Sequence, residues 1–183
     1  MKRNGSISKS ERVVPVPQLT PLVIVALGAN LGDSKRIIIE AAKELQKLSD
    51  EPLLCSSLWE TSPVDCPAGS PPFVNAVIGF LPRPGETPET LLARLQGIEK
   101  AFGRTPKKIM NEARVLDLDL IAFGRQTRAT DELTLPHPRA HLRRFVLEPL
   151  CEIDPEFVFP GQTKTVSELL GALPTDERMR RIE

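Results

Sequence analysis

Residues Val115, Leu116, Asp117, Leu118, Asp119, Leu120 and Ile121 follow one another, setting two carboxylates into an otherwise apolar run. Side chains alternate along an extended segment, so Asp117 and Asp119 share one face while Leu116, Leu118 and Leu120 share the other. Residues two apart on a strand lie roughly 6 to 7 Å apart at Cα, from which two carboxylates converge on one hard cation or hold two about 3.5 to 4 Å apart. Oxygen ligands of this kind suit Mg2+. Like charges on one strand face repel, so the pair destabilises the strand unless a cation or an arginine compensates, and Arg114 stands just upstream. Taken alone, the pair is equally well explained as the polar outer face of a half-exposed strand.

Context favours the metal reading. Arg104, Lys107, Lys108 and Arg114 precede the pair, and Arg139, His141, Arg143 and Arg144 follow it, two basic islands suited to a polyphosphate. The chain of 183 residues otherwise balances 24 Lys plus Arg against 24 Asp plus Glu. Zero net charge argues against bulk attachment to nucleic acid or an anionic membrane, so any anion site is local.

The positioning elements follow from the hydrophobic pattern. The branched run 22–27, closed by Gly28, reads as a strand buried on both faces. Asp33 or Ser34 caps a helix with Ile37, Ile38, Ala41, Leu45 and Leu48 at helical spacing. Residues 53–59 have strand composition, and four prolines make 61–72 a loop. A strand at 73–81 precedes a helix opened by Thr87 and Pro88 and stopped by Gly103. Residues 104–113 form a basic connection and 115–123 a further strand. The segment 133–137, a short helix from Pro138 toward Glu148 and an amphipathic piece at 166–170 complete the order.

Strand, helix, strand, strand, helix, strand predicts an α+β, ferredoxin-like sandwich: a four-stranded antiparallel sheet with helices on one face and extra C-terminal elements. The other face is then free for ligands. A single domain over 21–183 is expected behind a mobile tail at 1–20, which has no apolar stretch long enough for a secretory signal. Cys55, Cys66 and Cys151 form no C-x-x-C pair, which points to a reduced, cytoplasmic setting. No apolar run approaches the roughly 20 residues that span a bilayer.

The motifs resemble the 6-hydroxymethyl-7,8-dihydropterin pyrophosphokinase family of folate biosynthesis. The resemblance covers Val23 to about Pro160 and is most specific at Arg114-Val115-Leu116-Asp117-Leu118-Asp119, an R-x-x-D-x-D strand. Downstream stand Leu135-Pro136-His137-Pro138-Arg139 and Arg143-Arg144-Phe145-Val146-Leu147. Upstream stand Leu27-Gly28-Ala29-Asn30-Leu31-Gly32, Glu60-Thr61-Ser62-Pro63-Val64 and Phe73-Val74-Asn75-Ala76.

This resemblance implies a cytoplasmic enzyme that moves pyrophosphate from ATP to the pterin alcohol, releasing AMP. It places two Mg2+ ions on Asp117 and Asp119, and ATP against Gln96, Glu99, Arg104, Arg114, Leu120, Thr134, His137 and Arg143. The catalytic set is then Arg104, Arg114, Asp117 and Asp119. Pterin contacts fall on Gly28, Thr61, Ser62, Val64, Phe73, Asn75 and Phe145, with Phe73 and Phe145 on the two faces of the bicycle. Expected partners are the two small-molecule substrates, without nucleic acid or membrane, and other folate-pathway enzymes can associate. Pro106 and Asn111 stand where relatives commonly carry a basic and an aromatic residue.

Two other readings use the same features. A non-catalytic, ferredoxin-like nucleotide-binding module shares the fold but leaves the aspartate pair without a purpose. A metal-dependent phosphodiesterase or nuclease would use the pair and the arginines, but its groove should attract nucleic acid, which zero net charge disfavours.

Overall fold

Strand β1 (Val23–Ala29) is the centre of the structure, and its alternation divides the molecule into two cores. Val23, Val25, Leu27 and Ala29 enter one, and Ile24 enters the other. The strand continues through Gly28, which pairs with Asn75 on one side and Asp117 on the other. This computed structural model describes residues 22–62, 69–104, 113–175 and 178–183. The tail at 1–20, Val64, Cys66, Pro106, Lys107, Lys108 and Asn111 lie outside the described residues.

Helix α1 (Ser34–Gln46) is capped by the Asp33 carboxylate, which accepts from the Arg36 N–H at 3.1 Å. The strand expected at 53–59 divides into β2 (Leu54–Cys55) and β3 (Leu58–Thr61). Ser56 causes the break: its hydroxyl accepts from the Val77 N–H at 2.9 Å, taking the place of a main-chain partner. Both pair with β4 (Phe73–Phe80). Helix α2 (Pro88–Ala101) begins at a Thr87 cap with Pro88 at its start and ends before Gly103 at φ 90°.

Strand β5 (Asp117–Phe123) starts two residues later than expected, because Asn30 rather than a strand meets Arg114. A small hairpin, β6 (Arg128–Ala129) with β7 (Thr134–Leu135), follows. The helix expected from Pro138 is instead a 3-10 turn over Ala140–Leu142 and then helix α3 (Arg144–Ile153). Extended backbone at Arg143 separates them. Helix α4 (Val166–Ala172), capped by Thr165, and strand β8 (Met179–Ile182) complete the described chain.

The main sheet is antiparallel, ordered β5-β1-β4-β3-β8 with β2 also on β4, so it has six strands where four were expected. Helices α1 and α2 cover one face through Ile38, Ala41, Leu45, Leu91 and Leu95. The opposite face is not free throughout: Val146, Leu147 and Leu150 of α3 and Val166 of α4 cover Ile24, Val77 and Ile121. Those strand residues are apolar and need that cover. The same face turns polar at Gly28, Asn75, Asp117 and Asp119, and the ligand expectation narrows to that end.

Candidate active site

A single row crosses the sheet there. Asp117 on β5 pairs with Gly28 on β1, Gly28 with Asn75 on β4, and Asn75 with Trp59 on β3. Residues directly opposite in antiparallel strands share a face, so these four side-chain positions stand side by side. Asp119 pairs with Ala26, and Thr61 pairs with Phe73, which places both on the same face as the row. Gly28 keeps the row open: a Cβ there would come within 3.2 Å of Asn75 Oδ1. Asn75 is 5 % exposed, and its amide Nδ2 donates to Thr61 Oγ1 at 2.8 Å.

Arginines compensate the aspartate pair, as the charge argument requires. Arg104 Nη1 stands 3.2 Å from Asp117 Oδ1, Arg114 Nη1 pairs with Asp117 Oδ2, and Arg143 Nη1 lies 3.8 Å from Asp119 Oδ2. Burial, and then the neighbouring Asp117 charge, push the Asp119 carboxyl above the usual carboxylate range, against the pull of His137, Arg143 and Arg114. A second carboxylate beside one whose charge is costly, as at Asp119, makes a place suited to a cation.

Glu99 stands behind this cluster. At 2 % exposed, it accepts from the Leu118 N–H at 2.8 Å and pairs with Arg104, while burial raises its carboxyl. It thus caps the open edge of β5 and aims Arg104 at Asp117.

His137 is placed by the irregularity in the sheet. The β1–β5 register shifts at Ile24 and Val25, and the Ile121 carbonyl accepts from the His137 N–H at 2.9 Å. His137 Nδ1 accepts from the Arg139 N–H at 3.2 Å, which assigns the proton of the neutral ring to Nε2. Burial lowers its pKa, against the pull of Asp119. Arg143 Cζ lies 5.4 Å from the Phe145 ring centroid, so the aromatic and the cation share one corner. Phe145 is partly buried against the α3-side core, whereas Phe73 packs against neither core.

The structure therefore gathers Gly28, Thr61, Phe73, Asn75, Glu99, Arg104, Arg114, Asp117, Asp119, His137, Arg143 and Phe145 around one end of the sheet. Ser62 is exposed, with its N–H bound to the Arg178 carbonyl at 3.2 Å. Gln96 and Thr134 are exposed on α2 and β7, and among the described residues no hydrogen bond ties their side chains to the cluster. Leu120 lies, as strand alternation predicts, on the face away from Asp119: its side chain, 4 % exposed, belongs to the core under α1 and α2. Only its main chain is open to a ligand. Val64 lies outside the described residues.

Asn30 escaped the sequence reading. It is 3 % exposed; its Oδ1 accepts from the Arg114 N–H at 2.7 Å and its Nδ2 donates to the Pro71 carbonyl at 3.4 Å. Its place just after Gly28 was visible, but nothing in the sequence names partners 41 and 84 residues away.

The donor set fits Mg2+, which takes one or two carboxylates and completes its shell with water and substrate phosphates. Among the described residues no group of three His, Cys, Asp or Glu forms a complete protein cage.

The chain is also similar to known proteins. The family model described as 7,8-dihydro-6-hydroxymethylpterin-pyrophosphokinase (HPPK) matches residues 24–155. A Synechocystis protein named 2-amino-4-hydroxy-6-hydroxymethyldihydropteridine pyrophosphokinase is 35% identical over 155 residues, 84% of this chain and 77% of its own length. Folic acid synthesis protein fol1 of Pneumocystis carinii is 37% identical over 138 residues, 75% of this chain but 18% of its own length. The chain thus spans most of the first relative and under a fifth of the second. The crystal structure of wild-type Plasmodium falciparum HPPK-DHPS with pteroate superposes with a TM-score of 0.64 at 14% identity, over 82% of this chain and 42% of that one, and supports the fold. With the matched stretch running from β1 to the end of α3 and containing the whole aspartate and arginine cluster, the chain belongs to the 7,8-dihydro-6-hydroxymethylpterin-pyrophosphokinase family.

Proposed function

We infer that the protein transfers pyrophosphate from ATP to 6-hydroxymethyl-7,8-dihydropterin, giving AMP and the pterin diphosphate for folate synthesis. The observation that carries this reading is the row Asp117, Gly28, Asn75, which with Asp119 sets a carboxylate pair beside the buried polar Asn75 and Thr61 on one sheet face. A ferredoxin-like core of β1, α1, β3, β4, α2 and β5 belongs to the same reading.

Asp117 and Asp119 would hold two Mg2+ ions, which neutralise phosphate charge and make the pterin alcohol more acidic when bound. Arg104 and Arg114 pair with Asp117, which keeps both guanidinium groups where they could bind phosphate oxygens once that carboxylate holds a metal. Glu99 also pairs with Arg104 and so holds it at the site independently of Asp117. His137 carries its ring proton on Nε2 and can donate it to a phosphate or ribose oxygen. Phe73 and Phe145 flank the heterocycle, and Asn75 and Thr61 meet its amide-like edge. With both substrates aligned, the pterin hydroxymethyl oxygen attacks the β-phosphorus in line and AMP departs. The observations favour no side chain as a dedicated general base.

Asp117→Ala and Asp119→Ala should each reduce turnover on the order of a thousandfold or more while keeping a cooperative thermal transition. Full turnover in both variants would remove the metal role. A cytoplasmic setting and association with other folate enzymes fit this reading, and no helix among the described residues is long and apolar enough to cross a membrane.

A further inference from the structure

The row of cross-strand partners does not stop at Asn75. Trp59, the single tryptophan of the chain, stands next in line on β3, half-buried on the ligand side of the sheet. Its indole Nε1 donates to Glu152 Oε1 at 3.1 Å, and the Ser57 N–H donates to Glu152 Oε2 at 2.6 Å. Both oxygens of one carboxylate on α3 are therefore engaged by β3, across 93 and 95 residues of sequence.

The partner of this clip on the same helix is Phe145. Seven residues separate Phe145 from Glu152, close to two helical turns, so the two side chains leave α3 on the same flank, roughly 10 Å apart along its axis. Near its start α3 is held by Arg143, which reaches Asp119 and lies over the Phe145 ring. Near its end, beside the apolar packing of Leu150 and Ile153, Glu152 ties it by hydrogen bonds to the β3 segment. The opposing aromatic, Phe73, is fixed to β3 by its pairing with Thr61. The separation of the two rings thus depends on how α3 sits against β3, and Glu152 is the polar contact that sets it.

We propose that Glu152 is a positioning residue for the heterocycle site: by clamping Ser57 and Trp59 of the β3 segment to α3, it fixes the gap between Phe73 and Phe145. The inference rests on the reading of that gap as the pterin site. It touches neither the aspartate pair nor the arginines, so its effect should fall on one substrate and spare the other.

The test compares wild type, Glu152→Ala, Glu152→Gln and Trp59→Phe in steady-state kinetics with each substrate varied, together with Trp59 emission in the ligand-free proteins. Glu152→Ala should raise the pterin KM about fivefold and leave the ATP KM and kcat within about twofold. Its Trp59 emission should shift to the red and lose anisotropy. Glu152→Gln keeps an acceptor oxygen and should recover most of both signals, and Trp59→Phe, which loses the indole contact alone, should raise the pterin KM by less than Glu152→Ala. Unchanged pterin KM and unchanged emission in Glu152→Ala would overturn the proposal, as would parallel changes in both KM values and kcat. Wild-type protein that does not turn over pterin would instead overturn the assignment of the site, and this inference with it.

Discussion

At the scale of single residues, the decisive feature is that Asp117 and Asp119 face the same side of β5 with different surroundings. Asp117 lies between Arg104 and Arg114, while Asp119 is raised by burial and by Asp117 itself. Divalent-ion binding needs the charged form, so acidification should weaken Mg2+ binding at a pH above the ordinary carboxylate range of about 3.9. Titrating Mg2+ in the presence of a non-hydrolysable ATP analogue from pH 8 downward checks this; an affinity flat to about pH 4 would contradict it. The stability sign runs the other way. A carboxyl raised in the folded state supports the metal-free fold below its unfolded pKa and loses that support as pH rises through the raised value. Asp119→Asn removes that support and should therefore make the metal-free protein's stability fall more steeply as pH is lowered. His137 has the opposite sign, its lowered pKa making the fold lose stability as pH falls from about 6.5 toward the folded value.

Elements convert these residues into a site, and Gly28 is where their spacing is tightest. Gly28→Ala would press a methyl group to 3.2 Å from Asn75 Oδ1, so Asn75 must give by a few tenths of an ångström. Weaker pterin binding by about tenfold, with ATP binding unchanged, is the expected result, about 1.4 kcal/mol in one direction only. Calorimetric titration with each ligand separates the two; an equal loss for both would show that the strand had moved as a whole. Helix α3 contributes through its buried side, where Leu150 is fully enclosed. Leu150→Ala should cost about 2–5 kcal/mol of unfolding free energy, read from denaturant midpoints. The same comparison shows what sequence patterns carry. Caps at Asp33, Thr87 and Thr165 are local chemistry, and the helix starts at Ser34 and Pro88 were readable from them. The break at Ser56 and the late start of β5 were not, because each depends on one side chain replacing a main-chain partner on a distant strand.

Over the whole molecule, the antiparallel sheet with α1 and α2 on one face followed from alternation and helical spacing in the sequence. The cover on the opposite face did not. Leu147, Leu150 and Val166 are apolar whichever surface they meet, and only the fold shows that Ile24, Val77 and Ile121 need them. Strand β8 was invisible for a related reason: four residues, two of them arginine, carry little strand signal, yet they pair with all of β3. For the site, the aspartates and arginines were legible as a motif, since charge in an apolar strand is conspicuous. The position of Asn30 was not, because its partners on distant segments are set only by the assembled fold. The chain's zero net charge now has a local explanation, since Arg104, Arg114 and Arg143 concentrate their charge beside two carboxylates instead of spreading it over a surface.

The most direct measurement incubates the purified protein with ATP, Mg2+ and 6-hydroxymethyl-7,8-dihydropterin and separates the nucleotides formed. AMP should appear only when the pterin and the metal are both present, in equal amount to the pterin diphosphate. Formation of ADP, or of AMP at the same rate without pterin, would contradict the account.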